Sequence, residues 1–203
     1  MDLPLEIVQK IFDFLDFKSQ INFKLVSSLN YKGLRIYDFR DIPGQYMAKL
    51  NDQILKQYTH IKYLDLRNNL YIKNISHLTN LEKLNVGAKT IDVSNCLKLS
   101  VLKANFDKFL PGLDNLHQLV NLSISYSGIS DYSLRQCTNL TKLNVECVPL
   151  VKDLNCLVNL KILNCSGICG VDDNGLKNCT NLTRLNISAN QNITDINHLI
   201  NLR

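Results

Sequence analysis

From Ile61 to the end of the chain, apolar residues recur in the order Leu-x-x-Leu-x-Leu, with Val or Ile sometimes in the last place. Clear copies are Ile61-Leu64-Leu66, Leu81-Leu84-Val86, Leu119-Leu122-Ile124, Leu140-Leu143-Val145 and Leu182-Leu185-Ile187. Weaker copies are Leu99-Leu102-Ala104 and Leu160-Leu163-Cys165, an eighth begins at Leu202, and successive starts lie 18 to 22 residues apart. The fourth and sixth places are apolar and the fifth and seventh usually polar, as in Leu143-Asn144-Val145-Glu146, which is the period-two alternation of a strand with one buried face. About a dozen further residues return the chain to the next strand, and they carry anchors such as Ile75 and Leu78, Ile129 and Leu134, or Ile193 and Ile196. One such turn cannot bury its own apolar face, so the pattern predicts stacked turns sharing a core.

Three residues before each strand motif the anchor alternates: Leu78, Cys96, Leu116, Cys137, Leu157, Cys179, Leu199. Three of the cysteines are thereby expected to be reduced packing residues. Asn recurs just ahead of the motif, at Asn80, Asn121, Asn139, Asn159, Asn181 and Asn201, where its amide can satisfy backbone groups left unpaired by a tight turn. At the ninth place Asn is kept only in Asn69 and Asn190, while Lys89, Asp107, Ser127, Val148 and Ile168 stand elsewhere. An inner asparagine ladder is therefore expected to be interrupted.

Over residues 59–203 these features resemble the leucine-rich-repeat family. The segments Ile129 to Leu134 and Val171 to Leu176, each followed by its Cys, are similar to cysteine-containing repeats, whereas Asn192 to Leu199 is similar to the short internalin-type turn. The expected fold class is α/β: seven turns plus the start of an eighth, with a parallel sheet on the concave face.

Ahead of the repeats the spacing becomes helical, with Leu5, Val8, Ile11, Phe12 and Leu15 on one side and Pro4 suited to a first turn. A second helix is expected from Lys18, bearing Ile21, Leu25, Val26 and Leu29. Leu3-Pro4-Leu5-Glu6-Ile7, then Ile11-Phe12, Leu15 and Val26-Ser27, resemble an F-box, although Asn30 and Tyr31 stand where F-boxes commonly carry a Trp. The expected organisation is an F-box-like helical module over 1–42, a linker or cap over 43–58 with a further helix near Ile54 and Leu55, and the repeats over 59–203. The Asn-, Ile- and Lys-rich composition also resembles F-box and repeat proteins of giant amoebal viruses.

Charge adds little. The net +5 divides into 8 basic and 7 acidic residues up to position 58, and 15 and 11 beyond it, with no polycationic block of the kind that marks nucleic-acid binding. No apolar run approaches the roughly 18 residues of a membrane span, and the acidic start lacks the basic n-region of a secretory signal. Seven cysteines, an odd number, suit a reducing compartment. An intracellular, cytoplasmic protein is expected, in the host cytoplasm if the origin is viral, with neither nucleic acid nor membrane as partner.

Chemistry-bearing motifs are few. Cys165 and Cys169 have one zinc-like spacing without a second pair, His77 and His198 fall at equivalent repeat positions, and no phosphate loop, nucleophile elbow or paired-acid motif occurs. No enzyme, metal or cofactor is expected.

The combined resemblance, to F-box proteins with leucine-rich repeats, implies a substrate receptor of a cullin-RING ubiquitin ligase. It implies a Skp-type adaptor held through Leu3, Pro4, Ile7, Ile11, Leu15 and Val26, and an unidentified target protein held by the repeats. The alternative is a binding protein whose first helices only cap the solenoid. Outward strand positions bring together Tyr63, Asp65, Arg67, Lys103, Asn105 and Ser125, with Phe106, Tyr126 and Glu146 at the margin. That concave face is the expected target site.

Overall fold

A computed structural model of the chain describes residues 5–13, 15–26 and 33–203. Two helices come first, α1 (Leu5–Asp13) and α2 (Phe17–Val26). Strand β1 (Asp38–Phe39) and the one-turn helices α3 (Gly44–Met47) and α4 (Asp52–Leu55) follow. Each repeat then contributes one short strand: β2 (Tyr63–Asp65), β3 (Lys83–Asn85), β4 (Val101–Lys103), β5 (Asn121–Ser123), β6 (Lys142–Asn144), β7 (Ile162–Asn164) and β8 (Arg184–Asn186). The eight strands form one parallel sheet in sequence order. In the repeats the register is set by leucine, since Leu64, Leu84, Leu102, Leu122, Leu143, Leu163 and Leu185 lie opposite one another strand by strand. A slip of one residue would turn that whole row into water, which is why the register is unambiguous.

Amide side chains stitch successive turns on the return side. Nδ2 of Asn139, Asn159, Asn181 and Asn201 donates to carbonyls of His117, Thr138, Val158 and Thr180 at 2.8–3.0 Å, and Asn80 reaches Thr59 at 3.3 Å. His77 and His198 act alike, each with Nε2 3.2 Å from a carbonyl of the turn before, of Leu55 and Leu176 respectively. These histidines are repeat hardware. Among the described residues no group of three His, Cys, Asp or Glu side chains is placed to hold a metal ion.

The inner ladder shows what its interruptions cost. Buried Asn69 donates to the Met47 and Leu50 carbonyls at 2.9 and 2.7 Å while accepting from the Tyr71 and Ile72 amides. Asn190 likewise donates to the Cys165 and Val171 carbonyls. Lys89 substitutes its ammonium, which reaches the Asn69 carbonyl at 2.5 Å, and burial lowers its pKa. Asp107 cannot substitute in this way. It is 1% exposed, with Oδ1 accepting from Thr90 Oγ1 and the Phe109 amide, while buried Oδ2 has no hydrogen-bond partner among the described residues. Asp107→Asn retains both Oδ1 bonds and supplies the donor that the ladder uses elsewhere. We expect it to stabilise the protein by about 1 kcal/mol, read as a higher urea midpoint; an unchanged or lower midpoint would contradict this account.

Cys96, Cys137 and Cys179 are buried, and the Cys137 and Cys179 thiols donate to the carbonyls of Leu113 and Leu154. Burial pushes these thiols and that of Cys165 up to about 12 from the ordinary 9.0. Because the folded-state values are the raised ones, the four thiols stabilise the fold fully below pH 9, and that contribution is lost as pH rises from 9 through 12. At pH 8 their thiolate fraction is about a thousandfold below that of the unfolded chain. Iodoacetamide should then alkylate exposed Cys156 first and these four last. Mapping the modified sites by mass spectrometry checks this, and equal rates in the folded protein would refute it.

Two features of the fold differ from the sequence expectation. The sheet and core begin earlier than the repeats: β1 pairs with β2, and Leu34, Ile36, Phe39, Met47, Leu50 and Leu55 join the common core. At the other end Leu143 is buried but Leu185 only partly so, because β8 has a strand on one side alone.

Candidate interaction surfaces

Helix α1 has two working faces. Gln9 makes a pair of 2.9 Å bonds with the backbone of Arg35, donating to its carbonyl and accepting from its amide. Val8, 4% exposed, enters the solenoid core beside Leu34 and Ile36. On the opposite side of the helix Ile7 and Ile11 are 45% and 50% exposed, while Leu5, 46% exposed, lies on the solenoid side with its side chain against Gly33. An exposed apolar stripe on a short helix marks an interaction surface more often than a fold requirement. Of the other adaptor residues expected from sequence, Leu15 packs half-buried against the core. Leu3, Pro4 and the side chain of Val26 lie outside the described residues.

On the concave face β1 to β3 form a self-satisfied charge network. Arg40 and Arg67 fold back onto Asp38 and Asp65 two residues earlier, and Lys62 bridges to Glu82 at 2.8 Å. Hydrogen bonding to Glu82 raises the Lys62 pKa, and the reciprocal bond lowers that of Glu82. Tyr63 donates to Glu82 at 3.3 Å while the Arg40 guanidinium sits 4.6 Å over its ring and Lys83 lies 5.2 Å from the centroid. Three of the expected target residues, Tyr63, Asp65 and Arg67, are thus engaged with their neighbours.

From β4 to β8 the face changes. Asn144, Asn164 and Asn186 spend Oδ1 on the amide two residues ahead, closing the strand end, as Asp65 does for Arg67. Asn105 accepts from Ser123 Oγ and from the Ser125 amide. Ser125 departs from expectation: it is 5% exposed and presents little to a partner, because its amide is drawn in by Asn105 and its side chain is short. Lys103 is exposed and, like Lys142, Lys161 and Arg184, has no carboxylate partner among the described residues. These last three are residues that the sequence reading missed.

Along one rim, Phe106, Tyr126, Cys147 and Ala189 all adopt left-handed backbone, with φ of 54° to 64°. Each stands at the same step of its turn, and the sixth turn, between those of Cys147 and Ala189, has Gly167 there at φ 70°. Such backbone is uncommon for any residue with a Cβ and unfavourable for a bulky one. It is held by the ladder, as the Phe106, Tyr126, Cys147 and Gly167 amides donate onward to the next turn at 2.8–3.0 Å. The Phe106 and Tyr126 rings stack 5.1 Å apart at 12°, 59% and 48% exposed. Tyr126 donates to Glu146 at 3.2 Å, and its hydroxyl is raised to about 12 by hydrogen bonding with Cys147 and Glu146. Glu146 also accepts from Asn164 at 3.4 Å.

A family model for the F-box domain matches residues 1–31. Among solved structures the chain is similar to an internalin (inlF) from Listeria monocytogenes, at 27% identity and a TM-score of 0.59, over 75% of this chain and 49% of that one. It is also similar to the functional domain of InlJ from Listeria monocytogenes, at 20% identity and 0.53, over 76% of this chain and 40% of that one; this second likeness shows the fold alone. The chain therefore spans at most about half the length of these internalins. No curated protein matches it. Together the comparisons show a parallel-sheet solenoid resembling leucine-rich-repeat proteins, with an F-box at its N-terminus. That combination fits a protein-interaction adaptor and is typical of non-enzymatic modules. Among the described residues no helix is long and apolar enough to cross a membrane.

Proposed function

We propose that the chain is a substrate receptor of a cullin-RING ubiquitin ligase. The helical module, residues 1–42, holds a Skp-type adaptor, and the repeats, 59–203, hold a target protein on their concave face. The chain itself catalyses nothing, and ubiquitin transfer falls to other subunits. This reading sets it in the cytoplasm, of a host cell where the giant-virus resemblance of its composition applies. One observation carries it: α1 gives Val8 and Gln9 to the solenoid and still presents Ile7 and Ile11 to solvent on its other side. A helix that only capped the repeats would need the first face and have no use for the second. The test is direct binding of the purified chain to a recombinant Skp-type adaptor by calorimetry. A one-to-one complex is expected, and no measurable heat with adaptors from several eukaryotes would remove the ligase reading.

A further inference from the structure

The concave face is divided by charge. Across β1 to β3 three carboxylates are each matched by a cation within reach: Asp38 by Arg40, Asp65 by Arg67, Glu82 by Lys62. Across β4 to β8 Lys103, Lys142, Lys161 and Arg184 meet no carboxylate among the described residues, and Glu146, an acidic side chain on that half, is occupied by Tyr126 and Asn164. The polar groups between them have the same bias. Asn144, Asn164 and Asn186 have turned their acceptor oxygens inward to the backbone, which removes the strand amides as acceptors for a partner. A face that offers positive charge without a matching carboxylate, and whose strand amide oxygens are turned to the backbone, selects an anionic partner.

Resting on the reading that the concave face holds a protein target, we propose that the segment held is acidic: an extended Asp- or Glu-rich run lying across β4 to β8. Lys142 and Arg184 occupy the first position of β6 and β8, both paired in register to Ile162 of β7. With strands about 4.8 Å apart these two cations are roughly 10 Å from one another, and β4 to β8 spans about 19 Å. An extended chain at about 3.3 Å per residue covers that span in some six residues. Lys103 lies at the β4 end beside the Phe106–Tyr126 stack, and Lys161 sits at the margin. Nucleic acid fits less well, since four dispersed cations fall short of the roughly 6–10 phosphate contacts that drive salt-dependent binding.

The test uses the full chain and three fluorescent probes read by anisotropy at low salt: a decapeptide with six Glu among Gly and Ser, the same peptide with Gln for Glu, and a ten-nucleotide oligouridylate. The Glu peptide should bind at least tenfold more tightly than the Gln peptide. Lys142→Glu with Arg184→Glu should remove that preference, and Lys142→Met with Arg184→Met should weaken it, each with an unchanged melting curve. Lys152→Glu with Lys177→Glu, on exposed return segments, should leave it intact. Equal binding of Glu and Gln peptides, both lost in the Lys142/Arg184 variants, overturns the acidic assignment and keeps the concave target site. Glu-peptide binding that survives those variants overturns both. Oligouridylate binding tighter than the Glu peptide overturns the proposal in favour of a nucleic-acid surface.

Discussion

Truncating Leu143 to alanine is expected to destabilise the protein by about 2–5 kcal/mol, the range for a large-to-small change in a packed core. Leu143 is 1% exposed and stands in the leucine row between Leu122 and Leu163. Because each turn is stabilised mainly by its neighbours, a void at β6 weakens the stack on both sides. Asn144→Ala removes two hydrogen bonds instead, the acceptor for the Glu146 amide and the contact to Ser123 Oγ, and should cost nearer 1 kcal/mol. Leu185→Ala, at the half-covered edge strand, should fall between them. Urea midpoints of the three variants rank these effects. Equal losses for Leu143 and Asn144 would mean that the strand register is wrong.

That register was readable because it rests on spacing alone: a leucine every 18 to 22 residues inside a two-residue alternation admits one way of stacking. The first turn was not readable, since Leu34, Ile36 and Phe39 carry the same inward role without the repeat motif around them. Sequence also identifies which residues face outward but not which remain available. Asp65 and Asn105 occupy outward positions, yet their oxygens are consumed by nearby backbone and side chains, a matter of local geometry. Lys142 and Arg184 hold the third place of their repeats, where Tyr63 stands in its own, and of that place the sequence reading named Tyr63 alone. A cation in the third place of the repeat is the signal that would have found them. The left-handed bend that sets Phe106 and Tyr126 side by side has no sequence signature, because that step commonly favours glycine and here two aromatics are held there by the onward hydrogen-bond ladder.

The same separation of faces gives the second large effect. Replacing Ile7 and Ile11 together by aspartate should abolish adaptor binding while leaving the melting temperature close to that of the parent. Both side chains are half-exposed on one face of α1, one helical turn apart, so charging them costs the monomer little. In a complex the same positions would be desolvated, and loss of a good interface anchor costs about 2 kcal/mol or more, which is a Kd raised at least about thirtyfold. Val8→Asp is the internal contrast. It places a charge in the core and should unfold the N-terminal turn, losing adaptor and thermal stability together. Leu3→Ala with Pro4→Ala should weaken the adaptor complex without a change in melting. Calorimetry against a recombinant Skp-type adaptor, with a melting curve for each variant, separates the cases. Should Ile7→Asp with Ile11→Asp bind as tightly as the parent, the exposed stripe of α1 is not the adaptor surface.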